Sequence, residues 1–261
     1  MYCRACQLGQ LAPLPNAEEL EALYASPHYF AGSDRIGYAD YLSDAPQFAR
    51  TFRLKAERLL RYGPVQNLLE VGCGPGYFLH AALAAGVPHV VGVDRNRWAI
   101  DEAWRGGLEA YVGSLDAVPR ERTFDAVVML DLLEHIADPV AFLAEVRARL
   151  SPGGRVFIMT PNIRSLLARV SGRRWVSLKV PEHVYYYSPR SIRRLLESAG
   201  FAVLSVRGTG QYVTLPFLLS RLHRLAPRLT RVLRAGTHTL RLERRVLLVT
   251  NGSIDVVAKE G

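Results

Sequence analysis

Between residues 65 and 162, short apolar runs alternate with stretches whose apolar positions recur at helical spacing. "VQNLLEV" (65–71) leads to "YFLHAALAAG" (77–86), "HVVGVD" (89–94) to "RWAIDEAWRG" (97–106), and "DAVVML" (125–130) to "PVAFLAEVRARL" (139–150), before "GGRVFIMT" (153–160) closes the series. Strand and helix repeated at this spacing predict an α/β fold with a parallel, doubly wound sheet covered by helices on both faces. A ligand then belongs at the carboxyl ends of the first strands. Further on, "SPRSIRRLLESAG" (188–200) reads as a helix with Ser188 as its cap and Pro189 at its first position. "FAVLSVRGTG" (201–210) and "RVLLVTNGSIDVVAKE" (245–260) read as two late strands that finish the sheet, with a long basic insertion at about 213–245 between them.

The apolar run 67–71 ends beside a glutamate and opens into "EVGCGPGY", which puts Gly72, Gly74 and Gly76 within five positions. A glycine turn between strand and helix brings a ribose-bearing or anionic group close to the backbone, because glycine leaves room and tolerates positive φ. Three ligands are candidates: a dinucleotide, a nucleotide phosphate, or a nucleoside carrying an amino-acid head. A dinucleotide fingerprint wants GxGxxG, but position 77 is Tyr, and the GKS or GKT ending of a phosphate loop is missing. Glu70 repels a pyrophosphate and suits a cationic amino-acid head. Asp94 ends the second strand 18 residues beyond Gly76, where a carboxylate can accept from both ribose hydroxyls. Asp94 alone suits NAD equally well, and Glu70 with the GxGxG spacing discriminates.

Composition narrows the class. The chain has 261 residues, 49% of them hydrophobic, and carries 33 Lys plus Arg against 24 Asp plus Glu, a formal net charge of +9. Much of the positive charge lies in the arginine-rich, lysine-free stretch 219–245, whose leucines recur at helical spacing around Pro227 and Gly236. The functional reading of this stretch is peripheral contact with an anionic membrane surface, and the plain one is a covering helix with solvated arginines. No aromatic residues interleave with these arginines, which argues against single-stranded nucleic acid. No apolar run is long enough for a membrane span and no leader pattern opens the chain, so the expected location is cytoplasmic. Three cysteines, Cys3, Cys6 and Cys73, do not make a disulfide framework. "YCRAC" has the spacing of one zinc knuckle, but no second CxxC exists and His28 is the only nearby substitute, so it reads as a remnant knuckle without zinc. "PNAEELEALYASPHYF" (15–30) then reads as a helix leading into a lid, with Tyr24, Tyr29, Phe30, Tyr38 and Tyr41 covering the cofactor or packing. The expected division is a knuckle and helical lid over 1–55 and a ligand-binding domain over 56–261.

At these residues the sequence resembles the class I S-adenosylmethionine-dependent methyltransferases. "LLEVGCGPG", "VVGVDRN", "FDAVVMLDLLEHIADP" and "LSPGGRVFIMTPN" are similar to four of that family's motifs, in order and at normal spacing. "GYADY" (37–41) and "PEHVYYYSP" (181–189) resemble segments of one small-molecule branch. The resemblance implies a seven-stranded, mostly parallel sheet and S-adenosyl-L-methionine as cofactor. It implies that Gly72, Gly74 and Gly76 shape the turn around the methionine moiety, with Glu70 at its amino group and Tyr77 beside the turn. Asp94 is implied at the ribose, Arg95 near the adenine, Ser114 and Leu115 where the family often has an acidic residue for the adenine amino group, and Leu130 at the cofactor through its backbone. Ser114 departs from the pattern, which leaves that contact to Asp116 or a carbonyl.

The expected reaction is O- or C-methylation of a small-molecule or lipid- or sugar-type acceptor; an RNA methyltransferase and a non-catalytic S-adenosylmethionine-binding protein are the alternatives. A base is needed where the acceptor is a hydroxyl or an acidic carbon. His183 in the "PEHVYYYSP" loop is the expected catalytic residue, lining the acceptor pocket. "DLLEH" places Asp131, Glu134 and His135 at i, i+3 and i+4, one face of a helix, and resembles a set that some quinone-biosynthesis O-methyltransferases use for a divalent metal. The expectation is that no metal is bound there.

Overall fold

The computed structural model describes residues 1–15, 19, 45–214 and 246–261. The expected lid, "GYADY", His28 and the arginine-rich stretch 219–245 lie outside the described residues.

Seven strands form one sheet: β2 (Asn67–Val71), β3 (His89–Asp94), β4 (Glu109–Val112), β5 (Phe124–Leu130), β6 (Leu150–Pro161), β8 (Phe201–Thr214) and β9 (Val246–Glu260). Their spatial order is β4-β3-β2-β5-β6-β9-β8. The five strands from β4 to β6 pair in parallel, and β9 enters antiparallel between β6 and β8. The sheet is therefore mixed and mostly parallel, as the alternation of strand and helix patterns implies. The strand order reverses at β2 beside β5, which opens a crevice at their carboxyl ends. The short strand β4 carries no apolar run that would announce it.

Helices α1 (Ala45–Leu60), α2 (Tyr77–Ala84), α3 (Arg97–Arg105), α4 (Pro139–Arg147), α5 (Leu166–Ser171) and α6 (Pro189–Ser198) are described. Two apolar layers flank the sheet. Leu68, Val90, Ala126, Val128 and Phe157 face Phe52, Ala56 and Leu59 of α1 and Phe78 and Leu79 of α2. Leu69, Val91, Val127, Met129 and Ile158 face the other way, toward Leu143 of α4 and Ile192 and Leu196 of α6. Successive residues of β2 and β5 thus serve opposite layers, which is why these central strands are apolar throughout. Ser188 caps α6 through the Ser191 amide at 3.1 Å, and Pro189 takes the first helical position, as the sequence indicates. Among the described helices, none is long and apolar enough to cross a membrane.

A second, two-stranded sheet joins β1 (Gly9–Gln10) to β7 (Tyr185–Tyr186), pairing Gly9 with Tyr186 and Gln10 with Tyr185. The residues around Cys3 and Cys6 form a tight turn in which the Gln7 amide donates to the Cys3 carbonyl at 2.8 Å and Gln7 adopts φ 62°. This knuckle thereby lies against the "PEHVYYYSP" loop. Cys3 and Cys6 are free thiols.

Candidate active site at the carboxyl edge of the sheet

Beyond β2 the chain turns sharply at Gly72 (φ 74°), Gly74 (φ 52°) and Gly76 (φ 84°). The Gly72 amide donates to the Val93 carbonyl at 2.8 Å, which fastens the turn to β3. A Cβ on Gly76 would strike Leu108 Cδ1 at 2.1 Å, so this glycine lets α2 pack against the α3–β4 connection. Gly72 and Gly74 line a cavity of about 990 Å³, whereas Gly76 is not among its lining residues. Glu70, Tyr77, Asp94, Arg95, Ser114, Leu115 and Leu130 also line it. Nine of the ten positions expected at the cofactor thus surround one space.

The electrostatics of that space are specific. Glu70 is 2% exposed, and its Oε2 has no hydrogen-bond partner among the described residues. Burial, and then the nearby Asp94 charge, push its carboxyl well above the usual carboxylate range. Asp94 accepts from the Gly74 amide at 2.9 Å and from the Asn96 amide at 2.8 Å, one bond to each oxygen. Burial raises its carboxyl, and the Asn96 and Gly74 N–H groups oppose the rise. Both Asp94 oxygens keep lone pairs for further donors. A buried, unpartnered carboxylate calls for a cation, and a second carboxylate with spare acceptor capacity suits hydroxyl donors. A pyrophosphate would meet both negative groups. The residues present therefore fit a nucleoside with a cationic amino-acid head.

Across the cavity, the Ser114 hydroxyl donates to Asp116 Oδ1 at 2.6 Å, so the acidic group next to the departure at Ser114 is held at the wall. The loop carrying these residues is gripped from below by Arg149, which is 6% exposed. Its guanidinium donates to the Pro119 carbonyl at 2.5 Å, to the Leu115 carbonyl at 3.0 Å and to the Val118 carbonyl.

The segment after β5 departs from the helical face expected of "DLLEH". Asp131 adopts φ 51°, and only Leu133–His135 form a single 3₁₀ turn. Asp131 faces the cavity, where burial pushes its carboxyl up to about 6 against the pull of Lys179 and Lys55. Glu134 turns inward to accept from the Thr160 hydroxyl at 2.9 Å, and its other oxygen has no hydrogen-bond partner among the described residues. His135 reaches the cavity wall, with Nδ1 2.9 Å from the Glu182 carbonyl and its pKa lowered by burial to about 4.

His183, expected to line the acceptor pocket, stands behind His135 instead. Their rings meet edge to face at 4.6 Å, and His183 is 4% exposed and absent from the cavity wall. Burial and then His135 lower its pKa well below the usual imidazole value. The reason lies in the chain path. The "PEHVYYYSP" loop is drawn inward by the Val184 amide, which donates to the Glu134 carbonyl at 2.9 Å, and by β1 pairing along its far side. Metal-capable atoms of Glu134, His135 and His183 fall within 4.8 Å of one another, so His183 takes the place that the sequence spacing gave to Asp131.

Pattern reasoning missed Thr51 and Phe52 of α1 and Gln211 of β8, which close the cavity from the side opposite α4. It also missed Lys55, fully buried on the same helix, whose ammonium bonds both oxygens of Asp255 at 3.0 and 3.1 Å and the Thr209 hydroxyl. The signal was available. Phe52, Ala56 and Leu59 mark the apolar stripe of α1, and Lys55 falls within it.

A sheet of this order, with a glycine turn and the carboxylates of Glu70 and Asp94 at its crevice, defines a nucleoside-binding α/β enzyme class. A profile of the methyltransferase domain matches residues 41–206, and the chain belongs to that family, the class I S-adenosylmethionine-dependent methyltransferases. It is 29% identical over 157 residues to a ubiquinone biosynthesis O-methyltransferase of Aeromonas salmonicida, covering 55% of this chain and 66% of that protein. An uncharacterized 37.1 kDa protein in a transposon of Streptomyces fradiae is 30% identical over 189 residues, 66% of this chain and 54% of that protein. The matches therefore span less than two thirds of these curated relatives. Among solved structures, the magnesium protoporphyrin IX methyltransferase of Synechocystis PCC 6803 with bound SAH matches with a TM-score of 0.58 at 14% identity, covering 94% of this chain and 100% of that one. The plantazolicin methyltransferase BpumL in complex with SAH gives 0.56 at 15% identity, covering 94% and 97%. These two likenesses concern the fold.

Proposed function

We propose that this protein transfers a methyl group from S-adenosylmethionine to an oxygen or carbon of a small-molecule or lipid- or sugar-type acceptor. The observation that carries the reading is Glu70, a buried carboxylate with an unpartnered oxygen directly before the glycine turn. When bound, the donor supplies a methyl group already activated on a sulfonium, so the protein's work is alignment, exclusion of water and, for a hydroxyl or acidic carbon, removal of one proton. Glu70 holds the ammonium of the donor's amino-acid head. Gly72 and Gly74 admit its close approach, and Asp94 accepts from the ribose hydroxyls. Arg95, Ser114, Leu115 and Asp116 surround the adenine, and Tyr77 and Leu130 close the wall beside the reacting centre. Asp131 faces the cavity with a carboxyl that titrates at about 6, which suits it to take the acceptor's proton near neutrality. His183 supports this from behind, by holding the neutral His135 ring against the wall.

A small acceptor is favoured over RNA because, among the described residues, six carboxylates line the cavity against three arginines, Arg95, Arg120 and Arg149, which disfavours a polyanion. Calorimetry with S-adenosylmethionine, S-adenosylhomocysteine and NAD tests the reading. Both sulfur nucleosides are expected to bind and NAD is not, and Asp94→Ala is expected to weaken binding by on the order of 1–3 kcal/mol. Binding of NAD without any response to S-adenosylhomocysteine would overturn the assignment.

A further inference from the structure

Between β6 and β7 the chain leaves the carboxyl edge of the sheet, and residues 163–180 contain four exposed arginines, Arg164, Arg169, Arg173 and Arg174, and no carboxylate, while Lys179 turns inward to Glu182 at 3.7 Å. The same segment turns large aliphatic side chains outward. Leu166 and Val170, four apart on one face of α5, are 74% and 78% exposed, and Val180 is 61% exposed. Val176 and Leu178 extend the apolar surface.

This arrangement is built into the segment's own packing. Ser165 caps α5 through the Ala168 amide at 3.1 Å, and Ala168, Trp175 and Tyr186 bury one another on the inner side, with Ile163 against them. The inner residues thus fix the segment to the body and leave exposed aliphatic groups interspersed along it with exposed arginines. Single exposed leucines are ordinary, but several in one short segment whose exposed charges are all of one sign mark a contact surface. The cations fit an anionic partner. The exposed aliphatic groups favour a lipid interface over a nucleic acid, whose phosphates give them nothing to bury against and whose bases find no exposed ring, since the segment's single aromatic residue, Trp175, is buried.

We infer that residues 163–180 form a docking surface for an anionic phospholipid bilayer, with Leu166 and Val170 entering the interface and the arginines meeting the headgroups. The inference does not depend on the methyl-transfer reading, although β6 supplies Met159 to the cavity just before the segment begins, so docking would set the cavity's edge of the sheet toward the membrane.

The full chain is mixed with sucrose-loaded vesicles of phosphatidylcholine alone or with phosphatidylglycerol, sedimented at low and moderate salt, and compared with Leu166→Ser/Val170→Ser and Arg169→Glu/Arg173→Glu. The wild type is expected to pellet with the anionic vesicles and to be released as salt rises. Each double variant is expected to lose at least about tenfold in apparent affinity, since both the inserted aliphatic groups and the interfacial charges contribute. Because all four side chains are exposed, the melting temperature is expected to stay unchanged, and the arginine variant answers the question alone if the apolar one fails to fold. Equal pelleting with neutral vesicles, or no pelleting at all, overturns the inference. So does undiminished binding by both variants combined with loss on Arg221→Glu/Arg224→Glu, which would place the contact in the arginine-rich stretch. Tighter binding to an RNA oligonucleotide, unaffected by Leu166→Ser/Val170→Ser, overturns it as well.

Discussion

Asp131 carries two kinds of strain at once. It is a non-glycine residue at positive φ, and its carboxyl is held in a place that disfavours charge. Its carboxyl titrates at about 6 in the folded protein against 3.8 for the ordinary group, so across that window the folded state binds more protons than the unfolded one. Stability from this residue is then fully present at low pH and falls as pH rises through the window. His135, lowered to about 4, acts in the opposite direction and masks the effect in the wild type. Asp131→Asn removes only the first contribution, since an amide mimics the protonated acid at every pH. Urea unfolding is expected to show the variant's relative stability growing between pH 4 and pH 8 by about 2–3 kcal/mol. A difference that does not vary with pH would mean that Asp131 carries no perturbed charge. The same substitution is expected to lower turnover while leaving S-adenosylhomocysteine affinity nearly unchanged, as loss of a proton acceptor requires.

At the scale of elements, the loop after β4 shows how one side chain at the cavity can shape the rest of its wall. Arg149 leaves the end of α4 and satisfies the carbonyls of Leu115, Val118 and Pro119, while Ser114, Leu115 and Asp116 face the cavity. Arg149→Met removes the side-chain donor of the Val118 carbonyl, while the Leu115 and Pro119 carbonyls keep the Val118 and Arg122 amides at 3.3 and 3.2 Å, so the cost is about 1–3 kcal/mol. Calorimetry is expected to show weaker S-adenosylhomocysteine binding with the deficit concentrated in the adenosine part, so that adenosine alone loses as much affinity as the whole nucleoside. Equal adenosine affinity in variant and wild type would confine Arg149 to stability. Elements of this kind are where the sequence becomes hard to read. The central strands and Ser188–Pro189 could be read because apolar runs and a cap obey local rules. The 3₁₀ turn at Leu133 could not, since nothing in "DLLEH" announces a positive φ at Asp131, and the same letters suit an α-helical face. The inward path of the His183 loop depends on β1, a two-residue strand more than 170 positions away in sequence, which no local pattern encodes. Nine of the residues that surround the cofactor space come from the glycine turn and strand ends already marked in the sequence. Those from α1 and β8 needed the tertiary fold.

For the whole molecule, the charge arrangement separates two surfaces: carboxylates at the interior crevice and cations on the outer segment after β6. Ligand and membrane should therefore respond differently to conditions. In chelator-containing buffer, S-adenosylhomocysteine at about a hundred times its dissociation constant is expected to stabilise the protein by about 2.7 kcal/mol, a rise in melting temperature of about 5–10 °C for a chain of this size. The rise should vary little with salt, because Glu70 is buried and Asp94 half-buried. A shift that vanishes in chelator and returns with magnesium would make Glu134, His135 and His183 metal ligands on which the nucleoside site depends.

The position of β9 carries a consequence of a temporal kind. It lies between β6 and β8 although it follows both in sequence, so β8 has no strand of the sheet to join until β9 has been laid down beside β6. The parallel half, complete by Pro161, can close early on local βαβ contacts, whereas β6 keeps an open edge until the chain has returned from the long excursion after Thr214. A refolding chain therefore passes through an interval with the nucleoside crevice assembled and one side of the sheet still unpaired. Ligand binding should precede the final acquisition of protease resistance, and it is in this interval that the exposed edge of β6 is free to meet another chain.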